Sequence, residues 1–254
     1  MSKIAILTGA TGGLGKAFIQ ELLKEDIDII WAIGRNSEKL QELSNKYLDK
    51  IFPIQCDLAS EEEAKKIRNL LEEHKPDVKY LINNAGISKM DKIVNFTQEE
   101  ISKTIEINCK VPAIICNYAI PYMNKGAKIL NISSASSFQP NPYIALYSAT
   151  KVFLRSYTRS LNYELKEKGI SATAVCPGWI DTDMLKKEHN GKKVKYYGIV
   201  PTEKVARKAM KDSKRGKDMS VCSLFVKYEH LWSKLLPQKW IMHIWGKSVK
   251  KYVD

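Results

Sequence analysis

The sequence predicts an α/β fold, a doubly wound and mostly parallel sheet flanked by helices in three layers. Three observations carry that expectation. Short apolar runs rich in β-formers alternate with longer helical patterns, as crossover connections between parallel strands require. A glycine-rich turn separates the first apolar run from the first helical pattern. The 254 residues, 44% hydrophobic and 27% charged, also suffice for a sizeable core.

KIAILT (3–8) reads as a first buried strand, followed by the turn and a helix carrying Leu14, Phe18 and Leu22 at a four-residue period. DIIWAI (28–33), IFPIQC (51–56), KYLINN (79–84), AKILNIS (127–133) and ISATAV (170–175) are the next strands. Helices are predicted over 36–47, 60–74, 97–124, 147–168 and near 202–213. SEKLQEL and SEEEAKKI each open with Ser followed by acidic residues, the pattern of a capped first turn. No repeat or flexible linker divides the chain, so one domain over 1–254 is expected. Within it, 1–185 would form the cofactor-binding and catalytic core, 184–213 a substrate lid, and 224–254 a basic, Trp-rich helical extension.

Composition narrows the classes. Five Cys are scattered and never spaced C-x-x-C, which favours free thiols in a reducing compartment. Four His form neither H-x-x-x-H nor H-E-x-x-H, so no metal is expected. No apolar run is long enough to span a membrane. The first strand begins at residue 3, which leaves no room for a signal peptide and predicts a cytoplasmic protein. The charge is uneven: residues 186–254 hold 18 Lys and Arg against 6 Asp and Glu, so nearly all of the net +13 lies there.

Two motifs carry chemistry. T-G-A-T-G-G-L-G (8–15) lies between a predicted strand and a predicted helix, where a dinucleotide loop must sit. Its glycines let backbone N–H groups approach a pyrophosphate, and the helix N-terminus adds partial positive charge. Gly9, Gly13 and Gly15 give the spacing T-G-x-x-x-G-x-G, distinct from G-x-G-x-x-G, and Thr11, Gly12 and Leu14 complete the loop. A ligand-free βα turn is the alternative. YSATK (147–151) is the chain's single Y-x-x-x-K, and on a helix Tyr147 and Lys151 share a face. Alone it also fits an exposed pair at a helix start.

With the remaining motifs, residues 3–185 resemble the short-chain dehydrogenase/reductase family, which implies a Rossmann-like fold and a nicotinamide cofactor. By that resemblance Asp57 and Leu58, after the third strand, meet the adenine. Asn84, Ala85 and Gly86 of NNAG (83–86) pass along the cofactor, and Pro177, Gly178, Ile180 and Thr182 of PGWIDT (177–182) close over the nicotinamide. Asn108, in IEINCKVP, takes the place of the family's helix asparagine. Ser134 stands thirteen residues before Tyr147, as the family's serine does.

The implied roles follow hydride-transfer chemistry. Tyr147 would be the general acid for reduction and the base for oxidation. A free phenol titrates at about 10, so the charge of Lys151 would favour the tyrosinate. Lys151 would also bind the nicotinamide ribose, Ser134 would hold the substrate oxygen, and Asn108 would anchor a water between Lys151 and solvent. At the end of the second strand stand Gly34 and Arg35, with no acidic residue before Glu38. Arg35 can pair with a 2′-phosphate, so NADP(H) is preferred over NAD(H). The resemblance further implies a homodimer through the long helices over 97–124 and 147–168.

After Thr182 the chain departs from the reductases of fatty-acid synthesis, and the strand and Gly-rich tail that end them are not visible. Tyr196, Tyr197, Ile199 and Val200 could line a pocket for a bulky apolar ketone, or simply pack. The segment 227–252, with Trp232, Trp240, Trp245 and many lysines, could dock on the domain, on a partner subunit or in a membrane interface. No nucleic-acid motif accompanies its charge, and no nucleic-acid partner is expected. The expected function is NADP(H)-dependent interconversion of a carbonyl and a secondary alcohol. A non-catalytic NADP(H) sensor or scaffold, or a membrane- or partner-binding module, would be the competing functions. The full set of Asn108, Ser134, Tyr147 and Lys151 argues against the sensor.

Overall fold

The computed structural model describes residues 1–253 except 183–184, 186–187, 190–191, 195 and 197. Seven parallel strands form one sheet: β1 (Lys3–Thr8), β2 (Ile29–Gly34), β3 (Ile51–Gln55), β4 (Asp77–Asn83), β5 (Lys128–Ile132), β6 (Ser171–Val175) and β9 (Met219–Ser220). Their order across the sheet is β3-β2-β1-β4-β5-β6-β9. Two short strands, β7 (Glu188–His189) and β8 (Lys192–Lys193), pair antiparallel outside it. The strand order reverses between β1 and β4, which opens a crevice at their carboxyl ends.

Alternation within each strand feeds two cores. Ala5 and Leu7 of β1 face the layer of α1 (Gly13–Leu22), α2 (Ser37–Tyr47) and α7 (Thr202–Lys214). Ile4 and Ile6 face α3 (Glu61–His74), α5 (Val111–Ala119) and α6 (Ala145–Glu164). The three-layer α/β/α expectation is therefore met, and the six predicted strands each lie within two residues of their observed ends.

Two local readings are corrected. The first turn of α2 is capped not by Ser37 but by Asn36, whose Oδ1 accepts from the Lys39 N–H at 2.7 Å. Ser60 does cap α3, as expected. The single helix predicted over 97–124 is interrupted: α4 (Gln98–Ile105) runs into a π-helical turn over Glu106–Lys110 before α5 begins. Pro112, in the first turn of α5, has no N–H to return to the Asn108 carbonyl four residues back, so the ordinary ladder cannot be kept there.

The seventh sheet strand was also not legible. β9 is two residues long and pairs with β6 at Ala174–Met219 and Val175–Ser220. The carboxylate of Asp212, buried at the end of α7, accepts a hydrogen bond from Ser220 at 2.8 Å and pairs with Lys208 and Lys217, which ties the strand down. Beyond it lie α8 (Leu224–Leu235) and α9 (Gln238–Val249).

Candidate active site

The glycine-rich turn is shaped by close backbone contacts. Gly9 has φ +63°, in the left-handed region that glycine favours. A Cβ on Gly15 would stand 2.2 Å from the Gly9 carbonyl and 2.8 Å from that of Ala10. The turn is locked to the end of β4. The Asn84 side chain donates to the Thr8 and Gly9 carbonyls at 3.0 Å, and the Thr8 hydroxyl accepts from the N–H groups of Asn84 and Ala85, also at 3.0 Å. The NNAG segment thus sets the loop by hydrogen bonds. Its neighbour Asn83 donates to Asn131 at 2.8 Å inside the sheet.

A cavity of about 650 Å³ runs along the carboxyl ends of the strands. One end is walled by Gly9, Thr11, Gly12, Gly13, Leu14, Gly15, Arg35, Asp57 and Leu58. Asn84, Ala85 and Gly86 line its middle, and Pro177, Gly178, Ile180 and Thr182 form one flank. Ser134, Tyr147 and Lys151 stand on the wall beyond. Every predicted cofactor residue therefore faces one cavity. The cradle fits a dinucleotide phosphate: bare glycine backbone at a helix N-terminus, with the exposed guanidinium of Arg35 nearby. Among the described residues no carboxylate pairs with that guanidinium.

Tyr147 and Lys151 occupy the first turns of α6, so the four-residue spacing brings them together. Lys151 Nζ lies 5.5 Å from the Tyr147 ring centre and donates to the Ile132 carbonyl at 2.8 Å. Burial without a carboxylate partner pushes the Lys151 ammonium down to about 8. Burial also raises the Tyr147 phenol, and a hydrogen bond from Ser134 opposes that rise. Desolvation thus outweighs the stabilising hydrogen bond at Tyr147 in the cofactor-free chain. Ser134 Oγ is oriented by Ser136, accepting from its N–H at 3.1 Å and meeting its hydroxyl at 3.2 Å.

Asn108 does not reach the cavity wall. It is fully buried in the π-helical turn, where Oδ1 accepts from the Ile87 N–H and Nδ2 donates to the Ile87 carbonyl, both at 2.9 Å. Nδ2 also donates to Thr150 at 3.1 Å. The asparagine side chain is thus taken up in joining the loop after β4 to α6.

The far end of the cavity is aromatic. Trp179 packs 4.6 Å from Tyr196 and 6.0 Å from Trp245 between ring centres, while Phe138, Phe225 and Met90 complete the wall. Trp245 Nε1 donates to the Pro142 carbonyl at 2.9 Å, which fixes α9 against the body. Of the four residues expected to line this region, Tyr196 does. Val200 is core, bridged to Ile180, while Ile199 is exposed and off the wall. Tyr197 lies outside the described residues. Sequence reasoning missed Trp179, Phe225 and Glu229 as lining residues, and named Trp245 only within a segment that could dock on the domain. Trp179 lay inside the quoted PGWIDT motif, whereas the others carry no local signal. Among the described residues Glu229 is the one acidic side chain lining this end, and burial raises its carboxyl pKa.

Comparison with known proteins agrees with this geometry. The family model described as short chain dehydrogenase matches residues 3–193. A 3-oxoacyl-[acyl-carrier-protein] reductase, FabG, of Rickettsia conorii is 38% identical over 188 residues, which cover 73% of this chain and 76% of that protein. Among solved structures, a short-chain dehydrogenase from Sphingobium yanoikuyae in complex with NADPH superposes with a TM-score of 0.78 at 21% identity, covering 96% of each chain. A bulky-bulky ketone specific alcohol dehydrogenase from Comamonas testosteroni gives 0.76 at 22% identity, over 92% of this chain and 90% of that one. The last two likenesses are of fold.

Proposed function

The chain belongs to the short-chain dehydrogenase/reductase family of NAD(P)-dependent oxidoreductases, and from that premise we propose that it reduces a bulky hydrophobic ketone to a secondary alcohol with NADPH. The observation that carries the reading is the single cavity, which has a phosphate cradle and Arg35 at one end and Ser134, Tyr147 and Lys151 before an aromatic chamber at the other.

Bound NADPH supplies the hydride. The chain's residues do the rest. Arg35 takes the 2′-phosphate, and Asp57 and Leu58 flank the adenine. The Gly9–Gly15 backbone receives the pyrophosphate, while Pro177, Gly178, Ile180 and Thr182 cover the nicotinamide end. Ser134 and Tyr147 hydrogen-bond the substrate carbonyl oxygen, and Tyr147 delivers its proton as charge develops there. Burial keeps the phenol protonated at neutral pH, in the form that can donate to a carbonyl oxygen. Lys151, with its pKa at about 8, still carries its charge at neutral pH and steadies the phenolate left behind. Asn108 acts as a positioning residue for α6, and its carbonyl, to which Pro112 cannot donate, offers a seat for a water that reprotonates the pair.

The substrate class rests on Phe138, Trp179, Tyr196, Phe225 and Trp245, which give the chamber a largely aromatic wall. A homodimer is part of the reading, supported by the exposed apolar Ile105 of α4 and Val152 and Phe153 of α6. The test is Tyr147→Phe, assayed for NADPH oxidation with a panel of aryl and alkyl ketones. Turnover should fall by roughly 10²–10⁴-fold while NADPH still binds. Turnover that persists in the variant would remove the mechanism.

A further inference from the structure

The last two helices each have two apolar faces, and only one of them is used by the fold. On α8, Val226 is buried so tightly against Gly178 that a Cβ at that glycine would lie 2.7 Å from Val226 Cγ2, and His230 stacks on Phe138 at 4.2 Å. The opposite side of the same helix carries Leu224, Tyr228, Leu231 and Leu235, spaced four, three and four residues apart and therefore aligned in one stripe. All four are at least half exposed, from 50% for Leu231 to 72% for Leu224. Trp232 stands beside the stripe, 52% exposed. On α9, Trp240 and Ile244 are likewise exposed, one turn apart.

The charge on these two helices is mostly positive. Residues 224–253 contain six Lys and a single Glu. That one acid, Glu229, faces the cavity. Lys227 and Lys234 lie one heptad apart along the edge of the leucine stripe, and Lys239 and Lys247 flank Trp240 and Ile244.

We propose that the outer face of α8 and α9 docks on an anionic lipid surface. The apolar stripe enters the boundary between headgroups and acyl chains, Trp232 and Trp240 sit at the headgroup level, and the lysines meet the anionic headgroups. A second copy of the chain is the weaker occupant, because face-to-face pairing would bring two sets of lysines together, with Glu229 of each copy turned to the cavity. Phe225 is half exposed and also lines the cavity, so the docked face is continuous with the cavity lip. Resting on the reductase reading, this places a lipid-dissolved ketone at the entrance to the site.

Flotation of the full chain with vesicles of phosphatidylcholine, with and without phosphatidylglycerol, tests the docking without recourse to turnover, so it stands or falls separately from the reductase mechanism. The chain should float with the anionic vesicles, and less so at high salt. Leu231→Glu combined with Leu235→Glu should weaken partitioning at least about tenfold, since two apolar insertions become charged. Both positions are exposed and off the cavity, so NADPH affinity and thermal midpoint should not change. No flotation of the wild type on anionic vesicles, or equal flotation of the double variant, overturns the proposal. A wild type that stays off vesicles but dimerises, and a double variant that is monomeric by light scattering, would assign the face to a second copy instead.

Discussion

Replacing Lys151 with Met should stabilise the cofactor-free protein while abolishing its activity. The ammonium is buried on the cavity wall with a carbonyl, not a carboxylate, as its near partner, and its pKa falls from 10.5 to about 8. That displacement corresponds to ~3 kcal/mol by which the folded state disfavours the charge. Lys151→Met keeps the unbranched stem and removes the charge. Against this stands the lost bond to the Ile132 carbonyl, about 1 kcal/mol. A net gain of ~2 kcal/mol at neutral pH remains, or a rise of roughly 4–8 °C in Tm for a chain of this size.

The pH dependence identifies the cause. Below about pH 8 the lysine is charged in both the folded and the unfolded chain, so the whole penalty is present. Between about 8 and 10.5 the folded state gives up its proton first, the unfolded state binds more protons, and wild-type stability from this group rises with pH. The gap between Lys151→Met and wild type should therefore narrow across that window, read by thermal unfolding of the apo proteins in a series of buffers. A variant less stable than wild type at neutral pH would refute the reasoning, as would a gap that does not change with pH. Added stability combined with lost turnover would mark Lys151 as a residue retained for chemistry at the expense of the fold.

Three further outcomes follow from the same geometry. Gly15→Ala would drive its Cβ to 2.2 Å from the Gly9 carbonyl, with backbone on both sides and nothing flexible to yield. NADPH binding, followed by quenching of Trp fluorescence, should be lost along with at least about 1–3 kcal/mol of stability, and retained affinity would contradict the cradle. Arg35→Asp should lower the ratio of NADP to NAD affinity by roughly 10–100-fold, the worth of a charge-assisted contact exchanged for repulsion. An unchanged ratio would relocate the phosphate site. Finally, kcat/KM for NADPH reports the free enzyme and should decline above about pH 8 as Lys151 loses its proton, whereas a profile flat to well above that value would detach the lysine from cofactor capture.

What could be read from the chain alone was what a backbone constraint forces into a residue type. Gly9 at φ +63° and Gly15 against a carbonyl admit little else, so the loop announced itself. Tyr147 and Lys151 needed only the period of one helix, and the strands beside them needed only runs of apolar β-formers. Even there, distance effects escaped. Nothing in IEINCKVP shows that the Asn108 amide would be spent on Ile87 and Thr150, contacts between segments far apart in the chain. Likewise β9 is too short to have a period, and it is held by backbone pairing with β6 and by the bond from Ser220 to Asp212.

The C-terminal helices show where local reasoning must stop. Ile241, Trp245 and Val249 recur every four residues on α9, and so do Trp240 and Ile244, rotated by one position. Both series are apolar, so periodicity nominates two faces and cannot choose between them. The choice is made by partners far away in sequence. Pro142 accepts from the Trp245 indole, Trp179 stacks on its ring, and Ile241 and Val249 are carried inward with it. Trp240, five residues before Trp245 and so about 140° around the helix, is thereby turned to solvent. The same docking that closes the aromatic end of the cavity thus creates the outward apolar face. The proposed substrate pocket and the proposed lipid contact are two sides of one pair of helices, and changing the register of either helix would alter both.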